Sequence, residues 1–329
     1  MSRSVVIGAG AIGALLAAQL ELAGRETVLV ARGEALAAIR DRGVVVARPS
    51  RTETVPVTVA GGPEEVDLRP DDVLFLAVKA QDADAALAAW AWRPVGPDGV
   101  AAELPIVTLQ NGLAAEEAAA RRFARVLGAT IAIAAQHLTA GEVASPAEPE
   151  VGLVWLGAHG GGTDPLLQPI AADLRAAAYE VTVTDDIGAV KAWKLLGNLG
   201  NALDLFDGAE EDLATARRLL RNEALAVYAA AGMPVAAIDV ADLRLQIGEV
   251  PGYRGGRLST WQSFARGTSS EVDFLNGEIV LLGRRTGIPT PVNALVQRTL
   301  GEHAARGHGV ELVHPVEALL SAGRQEVAA

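Results

Sequence analysis

The sequence predicts an α/β protein in two parts: a sheet domain over residues 1–185, then an all-helical domain over 186–329. Three observations carry this expectation. Residues 4–23 join an apolar run, glycines at 8, 10 and 13, and a second apolar run, the order of a strand, a tight turn and a helix. Short apolar runs rich in Val, Leu and Ile then recur, alternating with Ala-rich helical stretches, as far as residue 184. Beyond about residue 187 the strand-like runs stop and Ala-rich helical patterns fill the chain, at 210–231, 270–287 and 291–306.

The opening segment is the most informative. Gly8 permits the sharp turn, Gly10 lets a backbone approach a pyrophosphate, and Gly13 allows a helix to pack close to the strand. With Ala9, Ala11 and Ile12, these glycines form the expected cofactor-binding turn. The helix starting near Ala11 offers free N–H groups and its positive dipole end to phosphates. The arrangement is Rossmann-type and implies a dinucleotide. The second strand, 27–31, ends in Ala31-Arg32-Gly33, where an NAD site usually carries Asp or Glu. A carboxylate would repel a 2′-phosphate and a guanidinium can hold one, so Arg32 predicts NADPH. Arg3 ahead of an apolar run superficially suggests a signal peptide, but the glycines, Glu21 and the want of a cleavage site argue against it. No run reaches the roughly 18–20 apolar residues of a membrane span. A cytoplasmic protein is expected.

Further along, 44–46 and 55–59 read as strands around a polar turn. Residues 72–78 read as a buried parallel strand running into Lys79, with a helix over 81–91. Residues 105–109 form another, ending in Gln110-Asn111-Gly112 before a helix that carries Glu116 and Glu117. Ligands of open α/β sheets lie outside the carboxyl ends of the strands, which puts Lys79 and Asn111 with the glycine turn on the cofactor side. Segments 126–135, 151–156 and 180–184 complete the strands, with a surface turn at 157–162. The domain boundary falls near 185, ahead of a helix.

In the second part, Lys194, Asn198 and Asn201 stand at i, i+4 and i+7 and share one helical face, with Leu195, Leu196, Leu199 and Leu203 on the other. Gly197 and Gly200 suggest close approach by a backbone or a ligand. The glycine-rich loop from Gly255 delivers Ser259 near a helix start. Ser270-Glu-Val-Asp-Phe-Leu-Asn-Gly277 begins another helix, with Glu271 and Asp273 in its first turn, where acids ordinarily complement the dipole.

Taken together, Gly-x-Gly-x-x-Gly at 8–13, Lys79, Gln-Asn-Gly at 110–112, Trp-Lys-x-x-x-Asn at 193–198, Ser259 and Glu-Val-Asp-x-Leu-Asn-Gly at 271–277 resemble the ketopantoate reductase family in order and spacing. The resemblance implies a Rossmann domain followed by a helical domain, and NADPH-dependent reduction of 2-dehydropantoate to (R)-pantoate in pantothenate biosynthesis. It implies Lys194 as the catalytic lysine and Glu271 as its acidic partner, with Glu271 also expected among the cofactor-binding residues. Asn198 and Ser259 match substrate contacts, and Lys79 and Asn111 match cofactor-side positions. Asn201, on the same face, joins the substrate-binding set. The chain departs from the family where a second helix asparagine often follows four residues after the first: Ala202 stands there, after Asn201. Gly256 stands where an asparagine can precede the serine by three.

The chemistry fits independently of the resemblance. Hydride addition to a 2-oxo acid builds negative charge on the carbonyl oxygen, which a cation can stabilise and protonate. Lysine suits this because burial can lower its pKa, whereas arginine stays charged. Only three of the 28 basic residues are lysines, Lys79, Lys191 and Lys194, which marks each of them; Lys191 is expected at the surface. The net charge of −12 disfavours nucleic acid and anionic membrane as partners. The absence of cysteine excludes disulfides, thiolate chemistry and Cys-ligated metals. The five histidines show no metal-ligand spacing, so no metal is expected, and His303 and His308 are expected to be solvated. The helices at 270–287 and 291–306 offer a face to a homodimer or to the domain core. The competing readings are a reductase of another branched 2-oxo acid or opine-type substrate, and a non-catalytic NADP(H) sensor.

Overall fold

The structure, a computed structural model, describes residues 2–239, 245–253, 255–256, 259–265, 267 and 271–326. The chain forms two compact units: Met1–Gln110, Ala115–Ile187 and Ile238–Arg254 make one, and Asn111–Ala114, Gly188–Ala237 and Gly255–Ala329 the other.

The first unit opens with β1 (Ser4–Ile7), α1 (Ala11–Leu22), β2 (Thr27–Val30), α2 (Gly33–Arg42), β3 (Val44–Ala47), β4 (Thr52–Val55) and β5 (Thr58–Ala60). It continues with β6 (Val73–Leu76), α3 (Ala80–Ala91), β7 (Pro94–Val95), β8 (Gly99–Val100), β9 (Pro105–Thr108), α4 (Ala114–Ala120) and β10 (Arg125–Ala132). It closes with β11 (Gln136–His137), β12 (Glu142–Ala144), β13 (Gly152–Ala158), α5 (Leu167–Ala176) and β14 (Tyr179–Val183). Eight strands form the main sheet in the order β14-β13-β10-β9-β6-β1-β2-β5. Every neighbouring pair in it is parallel except β10 with β13. The chain winds outward from β1 to β5, then returns and winds the other way from β6, so the order reverses between β1 and β6. Such a switch point is where open α/β sheets bind ligands.

The strands β1, β2, β6 and β9 are buried at every residue, as expected of parallel strands covered on both faces. Helix α1 is built from Ala and Leu, good helix formers, and is buried from Gly13 through Leu20. It needs apolar residues all round because it packs against β2 on one side and against β3 and β12 of a second, four-stranded sheet on the other. At the amino ends of β1 and β6, Arg3 and the fully buried Asp72 form a bidentate pair, with Nε–Oδ1 at 2.9 Å and Nη2–Oδ2 at 2.7 Å. The Arg3 charge is thus a structural partner of Asp72.

The stretch expected as one strand over 55–59 divides in two. Pro56 has no N–H to give a ladder, so β4 ends at Val55 and pairs with β3, while β5 starts at Thr58 and joins β2. Strand β13 runs on through Gly157 to Ala158, later than the surface turn expected from 157.

The second unit contains α6 (Ile187–Asn198), a 3-10 turn at Leu199–Leu205, β15 (Phe206–Asp207), α7 (Glu210–Ala231), α8 (Ser259–Ala265), α9 (Asn276–Thr286), α10 (Pro291–Ala305), β16 (His314–Pro315) and α11 (Glu317–Glu326). It is helical as expected, apart from the two-residue parallel contact of β15 with β16. Its core gathers Leu195, Leu199, Leu220, Ile279, Val296 and Leu300, all fully buried. The helix expected over 270–287 starts as a short 3-10 turn, Val272–Phe274, and becomes α-helical only at Asn276; Ser270 lies outside the described residues. His303 is buried, correcting the expectation of a solvated residue. Its Nδ1 lies 3.0 Å from His314 Nε2 and its Nε2 2.9 Å from the Gly309 carbonyl oxygen, so it closes the loop after α10.

Gly13 and Gly10 separate packing from access. A Cβ on Gly13 would strike the Gly8 carbonyl oxygen and sit 3.0 Å from Ala77 Cβ, whereas a Cβ on Gly10 would meet nothing within 4 Å. Gly13→Ala is therefore expected to destabilise the protein by about 1–3 kcal/mol, the usual cost of overpacking. Gly10→Ala should cost less than about 1 kcal/mol. Chemical denaturation of both variants checks this, and equal losses would contradict the packing assigned to Gly13.

Candidate active site

In the first unit, three features stand at the carboxyl ends of adjacent strands. The glycine turn follows β1. Gly8 adopts a φ of +114°, and a side chain there would fall 2.9 Å from Val78 Cγ1. Gly10 precedes α1 with extended backbone and open space around it, and no side chain caps the first amides of the helix. Ala9, Ala11 and Ile12 are partly exposed beside it. The turn thus keeps its amides and a Cβ-sized gap for a bound group, which fits a dinucleotide pyrophosphate. Arg32 follows β2, exposed at the N-cap of α2, and makes no ion pair among the described residues. Lys79 follows β6, half-buried at the N-cap of α3.

The end of β6 is braced by a residue that motif reading left without a role. Gln110, buried just past β9, donates from Nε2 to the Leu76 and Val78 carbonyl oxygens, both at 2.8 Å. It ties the carboxyl end of β9 to Leu76 and Val78, on the approach to Lys79. The available sequence signal was a long polar side chain closing an apolar strand.

In the second unit, Asn111 and Asn198 meet: Asn198 Nδ2 donates to Asn111 Oδ1 at 3.1 Å. Gly112, at a φ of +82°, presses its backbone against the Phe274 carbonyl oxygen, where a Cβ would collide. Phe274 belongs to the turn that Glu271 opens, and Phe274 N donates to the Glu271 carbonyl oxygen at 2.9 Å. Glu271 is buried rather than solvated on a helix end, and it stands before a 3-10 turn, not in the first turn of an α-helix.

Lys194 lies on α6, one turn before Asn198, and is half-buried. Burial alone pulls its pKa below the ordinary lysine value of 10.5. Among the described residues it makes no ion pair, Glu271 included. The α-helix gives way to the 3-10 turn directly after Asn198, so Asn201 follows a tighter spiral than the i+7 spacing assumed. Asn201 is buried and has polar contacts of its own. Ser259 is the first residue of α8, and its side chain lies outside the described residues. Gly197 borders open space, so nothing in this unit requires a glycine there, while a Cβ at Gly200 would sit 3.1 Å from Arg217 Cγ. Lys191 corrects another expectation. It is buried and has a polar partner, and its α6 neighbours Ala189, Val190, Ala192 and Leu195 are buried as well, so the helix is covered around most of its circumference.

Among the described residues, no group of three or more His, Asp or Glu could hold a metal ion, and no helix is long and apolar enough to cross a membrane.

Comparison with known proteins gives the family and fold that the chain resembles. Residues 4–160 match the family model described as ketopantoate reductase PanE/ApbA, and residues 192–304 match that of its C-terminal domain. A 2-dehydropantoate 2-reductase of Caulobacter vibrioides is 31% identical over 324 residues, covering 92% of this chain and all of the relative. The crystal structure of a PanE/ApbA family ketopantoate reductase from Ralstonia eutropha superposes with a TM-score of 0.76 at 25% identity, covering 93% of this chain and 99% of the other. The ternary structure of a D-mandelate dehydrogenase with NADH and anilino(oxo)acetate shares the fold, at a TM-score of 0.75 and 17% identity, over 93% of this chain and 99% of that one.

The lowered pKa of Lys194 has a consequence for stability. A lysine with a folded-state pKa below its unfolded value binds fewer protons when folded, so stability rises with pH across that interval. Below the depressed value, the folded state carries the full cost of a half-buried charge. Lys194→Met removes that cost, so the variant should melt above wild type at pH 7, with the gap narrowing as the pH approaches about 10. Melting curves at pH 7, 8.5 and 9.5 test this, and a pH-independent gap would refute it.

Proposed function

The chain belongs to the ketopantoate reductase family and is an oxidoreductase with a Rossmann-type domain, and from that premise we propose that it reduces 2-dehydropantoate to (R)-pantoate with NADPH. The observation that carries the reading is the setting of Lys194: a half-buried lysine, without an ion pair among the described residues, one helical turn from the hydrogen-bonded pair Asn111–Asn198.

The first unit supplies the cofactor platform. The Gly8–Gly13 turn and the N-terminus of α1 would hold the pyrophosphate, Arg32 the 2′-phosphate, and Lys79 another anionic or ribose group. A bound nicotinamide supplies the hydride. The remaining chemistry falls to the chain. The Lys194 ammonium stabilises negative charge growing on the substrate's carbonyl oxygen and gives up a proton to it, which its burial favours. Asn198, Asn201 and Ser259 are neutral donors and acceptors suited to a carboxylate and a hydroxyl, and neutral groups leave the Lys194 pKa low. Glu271, buried on its turn and not paired with Lys194, serves the substrate hydroxyl. The likeness to D-mandelate dehydrogenase favours a second reading, an aromatic or otherwise branched 2-oxo acid, because that protein accommodates a 2-oxo acid analogue on the same fold.

NADPH oxidation across a panel of 2-oxo acids decides the substrate. Fastest turnover of 2-dehydropantoate supports the proposal, while preference for another 2-oxo acid moves the chain to the second reading. Lys194→Ala should lose about 10²–10⁴ of turnover with NADPH affinity retained. In wild type, turnover should fall on the alkaline side with a midpoint below 10.5, as the proton donor is lost. Wild-type turnover by the variant would end the assignment of Lys194. Arg32→Ala should weaken NADPH by roughly 10- to 100-fold, the range of a hydrogen bond to a charged group, and leave NADH unchanged. An unchanged ratio of the two affinities removes Arg32 as the selector.

A further inference from the structure

A chain of buried polar side chains crosses the apolar core of the second unit and ends beside Asn198. It begins at Glu223 on α7, whose carboxylate accepts from the backbone N–H of Val292 at 2.7 Å and of Asn293 at 2.9 Å, the first amides of α10. Glu223 also accepts from Asn293 Nδ2 at 2.7 Å, and the same amide nitrogen donates to the Leu220 carbonyl oxygen at 3.1 Å. Asn293 Oδ1 in turn accepts from Asn276 Nδ2 at 3.0 Å. Asn276, the first residue of α9, donates onward to the Leu199 carbonyl oxygen at 3.3 Å. All three side chains are buried, Asn293 completely and Asn276 to 99%.

The chain has a direction. An ionised carboxylate only accepts, so Glu223 and the Leu220 carbonyl turn the Asn293 amide nitrogen towards themselves and its oxygen towards Asn276. That oxygen then fixes the Asn276 amide, leaving its nitrogen to reach Leu199. The terminus matters because Leu199 follows Asn198 and is the residue at which α6 gives way to the 3-10 turn carrying Asn201. Capping α10 requires only Glu223. Nothing in that cap calls for Asn276 or its bond to another element, and an apolar side chain buried in this unit's core would desolvate no amide.

We propose that Asn276 is a positioning residue: through the Leu199 carbonyl it fixes where α6 ends, and thereby holds Asn198 in register with Asn111. The kinetic arm of its test rests on the reading of Asn198 as a substrate contact; the exchange arm does not.

Asn276→Ala leaves Glu223 and its cap on α10 in place, and Asn276→Ser serves if the alanine variant fails to fold. Hydrogen exchange measured by mass spectrometry should show amides 199–203 exchanging about tenfold faster, with those at the start of α10 unchanged. In steady state, the substrate KM should rise about tenfold with kcat and NADPH affinity near wild type, and the rise should vanish in an Asn198→Ala background, the signature of coupled residues. Unchanged exchange at 199–203, or additive effects in the double variant, would overturn the proposal. Failure of wild type to turn over any 2-oxo acid would remove the substrate reading of Asn198, and the exchange arm would still decide the position of the helix end.

Discussion

The approach of the Gly13 backbone to the Gly8 carbonyl oxygen governs the first unit. Any side chain at 13 would push α1 away from β1, and the first amides of the helix would no longer converge on the turn between them. The same contact includes Ala77, and Gly8 itself rests on Val78, so the glycine turn is packed against the end of β6 as well as that of β1. Gln110 extends the brace to β9 by holding the Leu76 and Val78 carbonyls. One close contact, read outward, fixes the ends of three adjacent strands on either side of the switch point. The Arg3–Asp72 pair fastens the opposite ends of β1 and β6, far enough along the strands that it can be strong without placing charge at the ligand end.

Much of this was legible because it is local. Glycine spacing, apolar runs and the passage from strand-like to helical composition depend on neighbours in sequence, and the central strands β1, β2, β6 and β9 and the helix α1 fall where those patterns stand. The division at Pro56 was also written locally, in a residue that cannot donate to a ladder. The features that escaped depend on partners far along the chain. The burial of Lys191 follows from what surrounds α6, and that of His303 from a loop folding back to His314. The 3-10 turn after Asn198 interrupts a periodicity that looks continuous in one dimension. Asn276 meets Leu199 across 77 positions, and no window of sequence contains both.

The second unit accommodates polar groups in two different ways. Along the line from Glu223 to Leu199, each buried group has a partner, which makes the line directional and costly to disturb. At Lys194 the cation instead stands without an ion pair among the described residues. The first arrangement suits a framework, because satisfied hydrogen bonds specify one geometry. The second suits chemistry, because a group whose charge is not compensated responds strongly to charge that develops nearby.

That contrast gives the scarcity of lysine a physical meaning. A carboxylate in contact with Lys194 would favour the ammonium and hold its pKa high, making it a better anchor and a poorer acid. Burial without a partner does the reverse, at some expense of stability. An arginine in the same place would bear the same desolvation yet keep its proton at every accessible pH. In a chain that uses arginine for most of its cations, Lys194 is thus a cation whose burial makes its proton easier to release. The neutral pair Asn111–Asn198, one helical turn on, preserves that condition: it brings no charge that would reset the acidity of the lysine, which is what the proposed reaction would require.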